Sequence, residues 1–302
     1  MTTPLTGQVV VVTGGGRGIG RSHCLALAAL GAAVVVNDPG VSRDGTGGGP
    51  GPAAEVVAEI QAADGRAVAH TGSVSNWADA AAMIDCAVDT FGTVTGVVNN
   101  AGILRDATIT NLTEADWDAV IGVHLKGTAA LTTHACRYWR AQHKAGTAVN
   151  AHIVNTTSGA GLWGNVGQSA YGAAKAGIAN LTMVTALEAR RYGVAVNAVS
   201  PLAATRITAS YFAGDQATAG ALDPARSSQL VAWLQSAESS WLTGQILRVD
   251  GDRLSRIDGF IENTQPYHAA DGQSLRYDEI ADALSRLYGV APRGLAGTRS
   301  TP

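Results

Sequence analysis

A short apolar run that passes directly into a glycine-rich turn is the feature that most restricts the fold of this chain. The stretch QVVVVTGGGRGIG, residues 8–20, leads from four valines into glycines and then into a helix-forming segment. A continuous apolar run of this length is typical of a strand buried on both faces. Glycines there permit a tight turn and a close approach of the backbone to a phosphate, whose charge the helix N-terminus favours. The stretch therefore predicts the head of a βαβ unit that binds a dinucleotide.

Asp38 ends the second apolar run, AAVVVND, 18 residues after Gly20. An acid at that place can accept hydrogen bonds from the ribose hydroxyls of adenosine, and its charge repels the 2′-phosphate of NADP. Arg17 could instead attract that phosphate, but we expect the fixed carboxylate to outweigh a mobile arginine, which favours NAD. The alternative is a turn-forming role for Asp38. The candidate dinucleotide-binding residues of the loop are Thr13, Gly14, Gly16, Arg17, Gly18, Ile19 and Gly20.

Strand-like and helical segments alternate along the chain as far as about residue 251. This alternation predicts an α/β fold, a doubly wound seven-stranded parallel sheet with helices on both faces. We expect residues 1–251 to form one domain that binds NAD and carries the catalytic site. Residues 252–302 are polar and turn-rich, apart from a short amphipathic helix within 277–288. They are expected to be a C-terminal extension that packs on the main domain or on a neighbouring subunit.

Three segments inside the main domain carry more specific expectations. Residues 113–139 should form one long helix, which Thr113 and Asp116 begin in capping-box spacing. Residues 205–237 should be helical but irregular. The Gly- and Pro-rich residues 40–52 should form a loop that is long for a β–α connection, and therefore a lid or an insertion.

Composition excludes several classes of protein. A net charge of −3 gives no reason to expect nucleic acid or an anionic membrane as a partner. The three cysteines lie far apart and are expected to be small buried hydrophobic residues in a reducing compartment. The seven histidines form no metal-ligand spacing, so no metal is expected. Neither a signal peptide nor a membrane-spanning stretch is evident, which predicts a cytoplasmic protein.

The stretch SAYGAAK, residues 169–175, places Tyr171 and Lys175 one helical turn apart. Residues at i and i+4 share a face of a helix, so both side chains should point the same way. An isolated phenol has a pKa of about 10, and a neighbouring ammonium favours the phenolate. Ser158 follows the strand AHIVNTT and should emerge at the carboxyl edge of the sheet, where open α/β proteins bind ligands. Together with the glycine loop, these three residues predict a hydride-transfer site with Tyr171 as its acid–base group.

Residues 5–251 resemble the short-chain dehydrogenase/reductase family. The matching motifs, in order, are TGGGRGIG, NNAG (Asn99–Gly102), Ser158, YGAAK and NAVSP (Asn197–Pro201). The resemblance implies a Rossmann-type sheet, a homodimer or homotetramer, and a catalytic site of Ser158, Tyr171 and Lys175. It also implies that Asn99 braces the central strands. The further cofactor contacts that it implies are Ser73, Val74, Asn100, Ala101, Gly102, Tyr171, Lys175 and Pro201.

Several motifs are also similar to the hydroxyacyl-CoA dehydrogenase part of peroxisomal multifunctional β-oxidation enzymes and its stand-alone bacterial relatives. These motifs are VVVND, NNAGILRD, VHLKG, GNVGQSAYGAAKAG and SPLAATRIT. In VHLKG, His124 occupies the place of the family's auxiliary asparagine. The resemblance implies that its main-chain carbonyl holds a water leading from the lysine to solvent. The alternative is an ordinary helix histidine.

The resulting expectation is an NAD-dependent enzyme that interconverts a secondary alcohol and a ketone. By resemblance, the substrate is a 3-hydroxyacyl-CoA or a hydroxysteroid. A ketoreductase acting on a carrier-bound acyl chain or a small ketone is the alternative among enzymes, and a non-catalytic cofactor-binding regulator is the alternative outside them. Trp163 is expected to wall the substrate pocket or to fill the core, and Arg206 to meet a CoA phosphate or to be an exposed loop residue.

Overall fold

The predicted parallel sheet is present in a computed structural model of the chain, which describes residues 3–202, 223–259, 266–269 and 276–288. An eighth strand, which the sequence did not predict, pairs antiparallel with β7. The order across the sheet is β3-β2-β1-β4-β5-β6-β7-β8, and it reverses between β1 and β4. The strands are β1 (Val9–Thr13), β2 (Ala33–Asn37), β3 (Arg66–His70), β4 (Gly96–Asn99), β5 (Ala151–Thr156), β6 (Val194–Leu202), β7 (Ile246–Asp250) and β8 (Arg253–Ile257).

Helices connect the parallel strands as expected, with two departures. The predicted helix over 113–139 is divided, because a π-helical turn, Gly122–Lys126, separates α4 from α5. A short helix, α6, follows β5 and was not predicted. The helices are α1 (Gly18–Ala29), α2 (Gly51–Ala62), α3 (Trp77–Phe91), α4 (Glu114–Ile121), α5 (Gly127–Lys144), α6 (Gly159–Trp163), α7 (Ser169–Ala189), α8 (Ala225–Leu234) and α9 (Ile280–Tyr288).

Both faces of the sheet are covered, as the continuous apolar strands predict. In β1, Val9 and Val11 pack into one core cluster, and Val10 and Val12 pack into another. Successive side chains of a strand point to opposite faces, so the four consecutive valines of β1 contribute to both clusters. The first cluster includes Met83, Leu131 and Trp139 from α3 and α5, and the second includes Leu27, Ile60 and Leu234 from α1, α2 and α8.

The chain divides into two compact units, Met1–Ile257 and Asp258–Pro302. Strand β8 therefore belongs to the first unit, although it lies in the segment assigned to the extension. In the second unit, α9 follows a 3₁₀ turn at Tyr277–Glu279, and an ion pair of 2.7 Å joins Arg286 to Asp282. Arg206 and most of the irregular segment predicted at 205–237 lie outside the described residues, while α8 accounts for its end.

Buried amides and hydroxyls join the central strands to the helices behind them. The Asn99 side chain donates to Asn155 Oδ1 at 2.8 Å and to Thr132 Oγ1 at 3.1 Å. Asn155 in turn donates to Thr182 Oγ1 at 2.9 Å. Each donation satisfies a polar group that would be costly to bury alone. This chain of bonds ties β4 and β5 to α5 and α7, which is the bracing that the resemblance implied for Asn99.

Three buried histidines make the fold sensitive to acid. Burial lowers the pKa of His23 to about 3, of His152 to about 4 and of His124 to about 3. A histidine whose folded pKa is depressed contributes stability above its unfolded pKa of about 6.5, and this stability is lost as the pH falls toward the folded value. Near pH 5 the unfolded chain therefore binds about three more protons at these sites than the folded chain does.

We expect these three histidines to lower the free energy of unfolding by about 4 kcal/mol for each unit by which the pH falls near pH 5, because each of the three protons accounts for about 1.4 kcal/mol. Urea unfolding at pH 6.5, 6.0, 5.5 and 5.0 measures this slope. The His23→Gln substitution should remove about a third of this slope, because it removes one of the three protons while its partner in the described part of the chain, the Ser228 hydroxyl 2.8 Å away, is neutral. An unchanged slope in that variant would contradict the assignment.

Candidate active site

The loop between β1 and α1 forms a cradle for an anion. Gly14 and Gly18 have φ values of +64° and +53°, which side chains with a Cβ rarely adopt. A Cβ on Gly20 would collide with the carbonyl of Gly14 and lie 2.5 Å from Asn100 Nδ2. Arg17 is the N-cap of α1, and its side chain makes no capping hydrogen bond to this end of the helix. The first backbone N–H groups of α1 are therefore left for a ligand, and the N-terminus of a helix favours the negative charge of a pyrophosphate.

Thr13 and Asn100 fasten this loop to the end of β4. The Thr13 hydroxyl accepts from the backbone N–H groups of Asn100 and Ala101, both at 3.0 Å. The Asn100 amide donates to the carbonyl of Thr13 at 3.0 Å. Thr13 is buried and does not line the cleft described below. It therefore shapes the glycine cradle from behind.

Asp38 lies at the end of β2 with both carboxylate oxygens engaged. Its Oδ2 accepts from the Gly16 N–H at 3.0 Å, and its Oδ1 accepts from the Gly40 N–H at 2.8 Å. Gly16 thus lies behind Asp38 and, like Thr13, is not part of the cleft lining. Each carboxylate oxygen keeps a further lone pair for a ligand hydroxyl.

One cleft of about 670 Å³ runs along the carboxyl edge of the sheet at the reversal in strand order. Such a switch point is where open α/β sheets bind ligands. Apart from Thr13 and Gly16, every residue predicted to be catalytic or to contact the cofactor lines this cleft. These residues are Gly14, Arg17, Gly18, Ile19, Gly20, Asp38, Ser73, Val74, Asn100, Ala101, Gly102, His124, Ser158, Tyr171, Lys175 and Pro201.

Tyr171 and Lys175 share the first turns of α7, as their spacing predicts. Lys175 Nζ lies 5.6 Å from the centre of the Tyr171 ring. Lys175 is buried, and its ammonium donates to the Thr156 carbonyl at 2.7 Å. Burial lowers its pKa from 10.5 to about 7. The amine therefore gives up and regains a proton near neutral pH more readily than an ordinary lysine does.

Ser158 lines the same cleft, at the point where the chain leaves β5. It follows β5 and is the N-cap of α6, where its hydroxyl accepts from the Ala160 N–H at 3.3 Å. The unpredicted helix α6 thus begins at the serine and fixes its backbone. The serine hydroxyl is half-buried and keeps its proton for donation to a ligand oxygen.

His124 lies in the π-helical turn and packs behind Tyr171. Its ring meets the tyrosine ring edge to face, with centres 5.2 Å apart. Its Nε2 lies 2.8 Å from the carbonyl oxygen of Ile103. Burial, together with the charge of Lys175, lowers the pKa of His124 to about 3, although the bond to Ile103 opposes this shift. The imidazole is therefore neutral at physiological pH, and its ring packs against the tyrosine ring.

Trp163 is neither a core residue nor part of the cleft lining. It ends α6 with 40% of its surface exposed, and the Arg248 guanidinium stacks over its ring at 5.2 Å. Several lining residues were missed by the sequence motifs because loop contacts bring them in. They include Val41, Ser42, Gly45, Ile103, Arg105 and Thr156. The unusual length of the 40–52 loop was the one available signal for the first three.

Within residues 3–202, 223–259, 266–269 and 276–288, no three His, Cys, Asp or Glu side chains are grouped so as to hold a metal ion. Cys24 is buried beside the glycine loop, and Cys86 and Cys136 are partly buried. None of the helices in these ranges is both long and apolar enough to cross a membrane.

The comparisons with known proteins agree with this geometry. The family model for short chain dehydrogenases matches residues 8–216. Hydroxyacyl-CoA dehydrogenase ChsB1 of Mycobacterium tuberculosis is 41% identical over 293 residues, which cover 94% of this chain and 89% of that protein. The peroxisomal multifunctional enzyme type 2 of Mus musculus is 40% identical over 236 residues, which cover 78% of this chain but 31% of that enzyme.

A solved structure extends the agreement to the whole fold. The crystal structure of a short chain dehydrogenase from Mycobacterium avium has a TM-score of 0.85 and 46% sequence identity, and the match covers 97% of this chain and 98% of that one. The similarity to this short chain dehydrogenase therefore extends along nearly the full chain. It accompanies the glycine cradle, the tyrosine–lysine pair and the strand order described above. The chain belongs to the short-chain dehydrogenase family and is an oxidoreductase acting on CH–OH groups.

Proposed function

We propose that this protein is an NAD-dependent 3-hydroxyacyl-CoA dehydrogenase. The observation that carries the proposal is the placement of Ser158, Tyr171 and Lys175 around one cleft beside the glycine cradle. The similarity to the hydroxyacyl-CoA dehydrogenase of M. tuberculosis over 94% of the chain supports the substrate class.

In this proposal the chain's own residues handle the proton of the substrate hydroxyl. Tyr171 takes that proton as general base, and the Lys175 ammonium stabilises the phenolate. Ser158 donates a hydrogen bond to the same substrate oxygen and so fixes the carbon that is oxidised. Because the pKa of Lys175 is about 7, its amine can pass a proton onward near neutral pH. Since the imidazole of His124 is neutral and bonded to Ile103, any relay at this residue runs through its main-chain carbonyl.

A dinucleotide fits the residues that face the cleft. The uncapped N-terminus of α1 would hold the pyrophosphate, and Asp38 would accept from the adenosine ribose hydroxyls. The nicotinamide supplies the hydride acceptor when it is bound. Two features support NAD over NADP. Asp38 carries a charge that repels a 2′-phosphate, and the Arg17 guanidinium is directed to the Val41 carbonyl, 2.9 Å away.

A ketoreductase acting on a carrier-bound acyl chain is the second candidate. A 3-oxoacyl-[acyl-carrier-protein] reductase of Synechocystis is 42% identical over 199 residues, which cover 66% of this chain. That match covers less of the chain than the hydroxyacyl-CoA dehydrogenase does, and Asp38 disfavours the NADP that reductive enzymes commonly use. The two candidates therefore differ in both cofactor and acyl carrier.

Turnover on a substrate panel tests the proposal. We expect 3-hydroxyacyl-CoA thioesters with NAD to give the highest kcat/KM in an NADH absorbance assay, above hydroxysteroids and above carrier-bound acyl chains. NAD should be preferred over NADP by at least about 100-fold, because the Asp38 carboxylate opposes the 2′-phosphate. Asp38→Asn should narrow that preference while leaving activity on the same thioester. A faster reaction with NADP, or with the carrier-bound chain, would favour the second candidate.

A further inference from the structure

Residues 39–49 form a closed loop, here called the strap, that begins directly after Asp38. The N–H of Gly49 donates to the carbonyl of Pro39 at 2.9 Å and closes the base of the loop. At this base, Gly40 has a φ of +75°, and a Cβ there would collide with Gly49. Compact loops whose ends meet in this way are often functional. The strap is therefore an ordered element attached to the cleft rather than a loose insertion.

The tip of the strap is held rigid by the side chain of Asp44. Its Oδ1 accepts from the Ser42 hydroxyl at 2.6 Å, from the Thr46 hydroxyl at 2.8 Å and from the Thr46 N–H at 3.1 Å. These bonds lower the pKa of the exposed Asp44 carboxyl to about 2, so it stays charged at physiological pH. Because these bonds hold the turn in place, the main-chain carbonyl of Asp44 keeps a fixed direction.

Hydrogen bonds fasten the strap to both sides of the cleft. On the side of the glycine loop, Arg17 donates to the Val41 carbonyl at 2.9 Å. On the side of β4, the Leu104 N–H donates to the Arg43 carbonyl at 3.0 Å, and Arg105 Nε donates to the Asp44 carbonyl at 2.9 Å. Val41, Ser42 and Gly45 line the cleft, and the attachments connect the strap both to the glycine-loop side and to the β4 side of it.

Arg105 is also held in place by a second contact, on α4. Its Nη1 forms an ion pair of 3.2 Å with Asp116 in the first turn of α4. Asp116 is held in turn by Thr113, the N-cap of that helix, at 2.6 Å. The guanidinium fork thus joins the strap to a capped helix through two different nitrogens, a geometry that a lysine cannot reproduce.

We propose that Arg105 is a positioning residue that fastens the strap over the adenosine end of the cleft and so governs how fast the cofactor leaves. The inference rests on the proposed function, since it takes the ligand to be NAD with its adenosine ribose at Asp38. The side chains of Arg105 and Asp116 are 26% and 31% exposed. Their bonds can therefore break without opening the core, which is the property expected of an element that moves during ligand exchange.

Stopped-flow fluorescence of bound NADH, displaced by excess NAD from the full-length protein, tests the inference. Arg105→Ala should release NADH at least about 10-fold faster than wild type, as expected for loss of a charge-assisted hydrogen bond. Arg105→Lys should also be fast, because it keeps the charge but not the fork. The matched control is Arg21→Ala, which removes an arginine of α1 that is ion-paired with Glu59 outside the cleft. It should release NADH at the wild-type rate.

Steady-state kinetics separates this role from general damage to the fold. Arg105→Ala should raise the KM for NAD without lowering kcat, whereas a destabilised active site would lose kcat. A wild-type rate of NADH release in Arg105→Ala would overturn the inference that Arg105 fastens the strap. A wild-type rate in Arg105→Lys alone would also overturn it, because it would show that the charge suffices without the guanidinium fork. Failure of the wild-type protein to bind NADH would overturn the proposed cofactor instead, and the strap inference with it.

Discussion

Replacing Tyr171 with phenylalanine is expected to lower turnover by at least about 100-fold, the usual contribution of a general base. The substitution removes one oxygen and leaves the ring. The edge contact of that ring with His124 and the position of Lys175 over it should therefore persist. Because the glycine cradle and Asp38 are untouched, the affinity for NAD should stay near the wild-type value. Initial rates at saturating substrate, combined with NADH fluorescence titration, measure both quantities.

Tyr138→Phe is the matched control for this experiment. Tyr138 lies on α5, where its hydroxyl meets that of Thr93 at 3.3 Å, outside the cleft lining. Its loss removes the same atom from the same residue type and should leave turnover unchanged. A normal rate in Tyr171→Phe would remove that phenol from the mechanism. Loss of NAD binding in the same variant would instead indicate that the phenol holds the cofactor.

Replacing Gly20 with alanine is expected to weaken cofactor binding strongly and to destabilise the fold. The added methyl group would lie 2.8 Å from the carbonyl carbon of Gly14 and 2.5 Å from Asn100 Nδ2. Neither neighbour can give way cheaply, because the first is backbone and the second is fixed by its bonds to the loop. We expect a loss of about 3 kcal/mol in the free energy of unfolding. NADH affinity should fall at least about 100-fold, because the displaced loop no longer presents its N–H groups.

Gly51→Ala provides the comparison, since Gly51 is also a helix N-terminal glycine. Its Cβ would have the Glu55 carboxylate at 3.7 Å as its nearest neighbour, which is ordinary contact. This variant should keep its NADH affinity and its unfolding midpoint. Urea unfolding and fluorescence titration of both variants check the pair. Wild-type affinity in Gly20→Ala would show that the cradle tolerates a shift of its backbone.

Much of the fold could be predicted because the central strands are buried on both faces. Val9–Thr13 and Ala33–Asn37 are entirely buried, and a nearly continuous run of apolar residues is the pattern typical of that environment. Tyr171 and Lys175 could be placed together because a helix fixes the i, i+4 relation locally. In motifs of this kind, the relative position of the side chains is set by the local backbone of a few residues.

The parts that escaped prediction depend on contacts between distant residues. Strand β8 is a half-exposed edge strand with a polar sequence, RLSRI, so its pairing with β7 leaves no apolar pattern to detect. The π-helical turn around His124 has the composition of an ordinary helix, and burial of the imidazole against Ile103 is a tertiary event. The attachment of Arg105 to the strap joins residues about 60 positions apart and leaves no local signal.

Strand β8 also affects whether the sheet can pair with another molecule at this edge. It covers the outer hydrogen-bonding groups of β7 and presents Arg253 and Arg256 to solvent. Cations along an outermost strand discourage the pairing of one molecule's sheet with another's. Within the described part of the chain, the two arginines therefore oppose extension of the sheet beyond β8, so an association of two molecules through this edge would favour side-chain contacts over a continuous backbone ladder.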